Sequence, residues 1–175
     1  TGASLVDGVL DLEFGEATVS AKLKVTPRGS HFLFEVTSVS DKAVDRLTFL
    51  DLPLSLKGTP EESVAGCVLA LNLQTQVHGI PAATSRLRAA CYPRFGFAGA
   101  KAAVIICPQG ELRSVMQEVV SAAEDLPHSP IGGPWALDGK DNNGSYLFNT
   151  SDLSEETVDE WIALAQTLGI TQIDF

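Results

Sequence analysis

The segment SEETVDEWIALAQTLGITQIDF, residues 154–175, restricts the fold more than any other part of the 175-residue chain. Ser154 is placed as a helix N-cap, with Glu155 and Glu156 in the first turn, where the helix dipole is positive. Val158, Trp161, Ile162, Ala165 and Leu168 form one apolar stripe at helical spacing, and Gly169 is the expected left-handed stop. ITQIDF then has β character. Helix, glycine and a strand ending in an acid make an entry to a parallel sheet, and a parallel strand needs partners reached through crossovers. No other stretch reads as such a partner. Residues 151–175 are therefore expected to open a domain whose remainder this sequence does not supply.

The first hundred residues have a different grammar. In EATVSAKLKV, residues 16–25, Val19, Ala21, Leu23 and Val25 alternate with Thr18, Ser20, Lys22 and Lys24, the period of a half-buried strand. Pro27-Arg28-Gly29 supplies a turn, and HFLFEV resumes with Phe32, Phe34 and Val36 on one side. In DRLTFLDLPLSL, Leu50, Leu52, Leu54 and Leu56 share a face, and Pro53, lacking an amide donor, predicts an edge strand or a bulge. CVLALNL, residues 67–73, is apolar enough to be buried on both faces. TQVHGI, SRLRAACY and KAAVIIC complete eight or nine strands, whose spacing implies an antiparallel sandwich more than a barrel.

At Pro108 the period changes. Leu112, Val115, Met116, Val119 and Ala123 recur at helical spacing and predict a helix over 110–124, packed on the sandwich. Residues 127–150 are rich in Pro, Gly, Asn and Asp and form a connector, held down by Trp135, Leu137, Tyr146 and Phe148. The division is a sandwich over 1–126, a packed connector over 127–150, and the αβ segment over 151–175.

Several functions are excluded or disfavoured. A net charge of −10 with scattered basic residues opposes a nucleic-acid partner. No apolar run approaches the roughly 20 residues of a membrane helix. Cys67, Cys91 and Cys107 have no CxxC spacing and read as buried free thiols on strands. His31, His78 and His128 match no ligand spacing, and no GxSxG, GxGxxG or P-loop pattern occurs. No cofactor is expected. DGKDNNG, residues 138–144, offers Asp138, Asp141 and Asn143 as oxygen donors for calcium, but aligning Gly144 with the EF-hand glycine puts Gly139 where an Asp is required. It reads as a turn rich in Asx residues.

The order of sandwich, surface helix, Trp-bearing connector GGPWALDGKDNNGSYLF and then TVDEWIALAQTLGITQIDF resembles the N-terminal part of multidomain bacterial glycoside hydrolases. Several such families place a many-stranded, supersandwich-like domain ahead of a (β/α)8 barrel. The resemblance implies a secreted or periplasmic protein and a mainly β chain with an incomplete TIM barrel at its C-terminal end. Its role would be to brace the catalytic barrel and contact polysaccharide or oligosaccharide. Asp174 would then close the first barrel strand, on the face where barrel active sites are built. Glycoside hydrolysis normally uses two carboxylates about 5–10 Å apart, which later strands would supply, so this chain alone is expected to be inert. For sugar contact, Tyr92, Phe95, Trp135 and Tyr146 are stacking platforms, with Arg94 and Asp138 as hydrogen-bonding neighbours; packing is the competing role for Trp135. The alternatives are an autonomous carbohydrate-binding module and an adhesion sandwich without a sugar ligand.

Overall fold

A computed structural model describes residues 2–15, 18–41, 43–54, 61, 63–77, 86–126, 146–148 and 153–174. They fall into two units, Thr1–Pro127 and His128–Phe175.

The described residues of the first unit form nine strands: β1 Gly2–Val6, β2 Val9–Phe14, β3 Val19–Pro27, β4 His31–Val39, β5 Leu47–Pro53, β6 Val64–Ala70, β7 Thr75–Val77, β8 Arg86–Cys91 and β9 Lys101–Pro108. They pair antiparallel throughout, in a six-stranded sheet of order β1-β2-β3-β4-β9-β6 and a three-stranded sheet of order β5-β8-β7. The first hairpin turns on Asp7 and Gly8, both with positive φ (50° and 78°), as the tight turn between right-twisted strands demands. Gly8 also accepts a backbone hydrogen bond from Val25, tying the turn to β3.

Alternation sorts side chains between two cores. Ala21, Leu23, Val36, Ala102 and Val104 of the larger sheet meet Leu47, Phe49, Leu50, Leu87 and Cys91 of the smaller one. This is a mainly β fold of two antiparallel sheets around a shared core, in the manner of a sandwich. The opposite face of β9 carries Ala103, Ile105 and Cys107, which pack under α1, Leu112–Ser121. Val115, Val119 and Ala123 are buried there, and Leu112 and Met116 half-buried, so the helical spacing in the sequence is realised on the sheet. Burying each such side chain contributes about 1.5–3 kcal/mol.

Two strands depart from expectation in detail. β5 is an edge strand, but its bulge lies at Thr48–Leu50 and not at Pro53. The bulge brings Leu47 and Phe49 into the same core as Leu50, while Leu52 is left 40% exposed at the edge and Leu54 half-buried; Leu56 lies outside the described residues. β6 has apolar side chains because both its faces are packed, Val68 inward and Cys67 and Leu69 beneath α1. As an edge strand it keeps none of its residues fully buried. All three cysteines are free and lie on strands.

The second unit holds β10, Tyr146–Phe148, α2, Val158–Leu168, and β11, Gln172–Asp174. β10 and β11 pair in parallel, Tyr146 opposite Gln172, Leu147 opposite Ile173 and Phe148 opposite Asp174. This corrects the expectation that residues 132–148 contain no strand and that β11 has no partner. Three residues flanked by Gly, Asn and Asp are too few to display a period. At the front of α2 the Ser154 carbonyl accepts from the Thr157 and Val158 amides, and the Ser154 amide donates to Thr157 Oγ1 at 3.0 Å. The N-cap of α2 is thus Thr157 and not Ser154, and its first-turn acids are Asp159 and Glu160 in place of Glu155 and Glu156; the Ser154 hydroxyl depresses the Glu156 carboxyl in the turn ahead of the helix. Gly169 adopts φ 68°, and the Ile170 and Gly169 amides bond the Ala165 and Gln166 carbonyls, a complete Schellman stop.

Candidate functional site

The described sequence-nominated site residues of the first unit meet in the loop after β8. Pro93–Phe95 form a single 3-10 turn, closed by Gly96 at φ 81°. The loop is fastened from below: Asn72 Nδ2 donates to the Gly99 carbonyl at 2.6 Å, and Gln74 Nε2 to the Phe95 carbonyl at 2.6 Å. Thr75 Oγ1 donates to Asn72 Oδ1 and accepts from the Lys101 amide. Asn72 and Thr75 are the only buried polar side chains among the described residues, and each is satisfied, as burial of polar atoms requires. Gly99 sits at φ 93°, which strains any other residue, and a Cβ there would come within 3.1 Å of Gln74 Oε1.

On this support Tyr92 is half-buried. Its hydroxyl contacts Gln76 Oε1 at 2.7 Å, and the Arg46 guanidinium lies 5.9 Å from its ring centre. Arg94 is directed over Phe95 at 5.6 Å, with Phe95 54% exposed. The patch is thus two cation–aromatic pairs, Arg46 with Tyr92 and Arg94 with Phe95. Trp135, Asp138, Asp141 and Asn143 lie outside the described residues, as do the calcium set and all of the connector except residues 146–148. The backbone of Tyr146 begins β10, and Asp174 is exposed at the end of β11, opposite Phe148. These residues belong to the second unit. Among the described residues no group of three or more His, Cys, Asp or Glu side chains could hold a metal ion, and no helix is long and apolar enough to cross a membrane.

Sequence reading missed a larger feature of the first unit. α1 lies over β9 and β6 and leaves the outer face of β3 and β4 bare, which creates a half-open cleft of about 660 Å3. Its floor is set by strand register. Lys24, Glu35 and Lys101 form one cross-strand row, and Thr26, Leu33 and Ala103 the next. The third begins at Arg28, whose amide donates to the His31 carbonyl, and ends at Ile105 opposite His31. Glu118 of α1 and, after it, Ala122, Glu124 and Asp125 make the facing wall. Lys101 Nζ and Asp125 Oδ2 close one end at 2.8 Å. At the other, the His31 Nδ1–Ser30 Oγ distance is 3.0 Å. Burial lowers the His31 pKa, with Glu118 opposing and Arg28 adding to the shift. His31 therefore stays neutral at pH 7. The one signal in the sequence was a run of polar residues at alternate strand positions, indistinguishable from a wet face until α1 is placed beside it.

No protein-family model, curated protein or solved structure matches the chain.

Proposed function

We propose that this chain is the accessory β-sandwich of a secreted or periplasmic carbohydrate-active enzyme, a glycoside hydrolase, together with the opening strands of its (β/α)8 barrel. The observation that carries the reading is the β10–α2–β11 unit. Two three-residue parallel strands form a sheet too small to stand alone, and parallel sheets occur almost only with both faces covered. α2 meanwhile leaves Ile162, Leu164 and Leu168 43–62% exposed. Further βα units would flank the pair and cover that helix. On this reading β10 is the first barrel strand and β11 the second. Asp174 then stands at the C-terminal end of strand two, on the face where such barrels place substrate. The sandwich braces the barrel, and Tyr92 and Arg94 are the residues through which it would touch polysaccharide.

The test is the reading frame that encodes the chain. Continued strand–helix repeats beyond Phe175, and glycan hydrolysis by the whole product but not by residues 1–175, are the expected results. A stop codon shortly after Phe175 overturns the proposal.

A further inference from the structure

The cleft beside α1 has a lining of mixed sign. Lys24, Arg28 and Lys101 face Glu35, Glu118, Glu124 and Asp125 across a floor whose centre is Leu33. The strand rise makes that floor about 13 Å long from His31 to Glu35. Val119 and Ala122 flank Leu33 and give the middle an apolar strip between two polar ends. The volume is in the range of pockets that hold small organic ligands, but the lining is richer in charged and polar groups than theirs.

The charge pattern selects among ligand classes. An anion of any length meets the carboxylates of the helix wall, and a cation meets the ammonium groups of Lys24 and Lys101 and the Arg28 guanidinium. Both lose water without finding a uniform field of opposite sign. A neutral polyol has no such conflict. Each hydroxyl donates to a carboxylate and accepts from Lys or Arg, the charge-assisted bonds that are strongest per contact. The C–H faces of a sugar ring suit the strip over Leu33. We propose that this cleft binds a short neutral oligosaccharide laid along β4, with Arg28 and Glu118 holding one end and Lys24 and Glu124 the other.

The proposal stands on the first unit alone and is independent of whether a barrel follows. It is tested by NMR titration of the 175-residue protein with neutral trisaccharides (maltotriose, cellotriose, mannotriose), a trigalacturonate and a chitosan trimer. At least one neutral trimer is expected to bind with a dissociation constant on the order of 1 mM, shifting the Leu33 and Val119 methyls and the His31 ring. Glu118→Gln and Arg28→Ala, both at exposed positions, should each weaken binding about tenfold with an unchanged urea midpoint, and Tyr92→Ala should leave it intact. The charged trimers should bind about tenfold more weakly than the best neutral one. Four outcomes would overturn the assignment: no shift with any neutral trimer at about 50 mM, tighter binding of a charged trimer, shifts confined to Tyr92 and Phe95, or affinity indifferent to the Glu118 and Arg28 changes. None of them bears on the reading-frame test.

Discussion

The two units solve the burial problem to different degrees. In the first, β9 has one face in the core between the sheets and the other under α1, and Leu23, Ala102, Ala103 and Ile105 are wholly inaccessible. In the second, Ala165 is the only buried hydrophobic side chain among the described residues, and α2 leaves Ile162 and Leu168 of its promised stripe exposed. Trp161, expected to be buried, is half-exposed beside Leu164. Amphipathic spacing states that a face is meant to be covered; it does not state by what. A sandwich with a helix layer supplies its own cover, while a βαβ unit requires neighbours.

The sharpest way to break this contrast is paired truncation. Ile105→Ala should destabilise the protein by about 2–5 kcal/mol, because a fully packed site collapses poorly around a void. Leu164→Ala on α2 should change it by less than about 0.5 kcal/mol. Urea denaturation of both variants decides the point, and equal effects would mean that α2 is covered in solution. The thiols give the next largest signal. Burial, reinforced for Cys67 by Cys107, raises Cys67 to about 11, and burial alone raises Cys91 to about 11. At pH 8 each should react with a disulfide reagent roughly a hundredfold more slowly than an ordinary thiol. All three cysteines lie on first-unit strands, so trapping kinetics report the opening of that unit alone.

In the second unit, Gly169→Ala forces a side chain into the left-handed region and should cost about 1–2 kcal/mol of local stability. The expected readout is faster amide exchange in α2 and β11, with β9 unchanged. The smallest effect belongs to the wet face of the smaller sheet. Hydrogen bonds from Arg86 and then Arg88 hold the Asp51 carboxyl below its usual value. A depressed carboxylate contributes stability that is present above its unfolded pKa, near 4, and is lost as pH falls through its folded one. Asp51→Asn should therefore lose a small stabilisation at pH 7 and converge with the parent protein as pH falls below about 4, which flattens the acid limb.

How far the chain could be read in advance depended on the length of each signal. β3 was legible because nine residues show four periods, and α1 because Leu112, Val115, Met116 and Val119 fall on one face of a ten-residue helix. The Asp7-Gly8 turn was equally legible and was passed over, although that dipeptide between apolar alternations is a strong hairpin signal. β10 was not legible, since three residues carry no period. The β5 bulge was half-legible: Pro53 announced an edge, but nothing in the spacing located the extra residue at Thr48–Leu50. The patch around Tyr92 could be named from aromatic content, though not the partnership of Arg94 with Phe95. The cleft was beyond reach, because Lys24, His31, Lys101 and Glu118 become neighbours only through the pairing of β3, β4 and β9 and the docking of α1.

That pairing also sets a clock. The larger sheet is not completed in chain order: β4 waits for β9, and His31 finds Ile105 across an intervening three-stranded sheet. Contacts of such long sequence separation slow folding, because loop closure precedes their reward. During synthesis at about 5–20 residues per second, the inner edge of β4 stays unpaired for roughly 3–13 seconds before Lys101–Pro108 can emerge to cover it. Over that interval Phe34 and Val36 lack the strand that completes their sheet, so the nascent chain is most exposed to misassociation just before its own centre arrives.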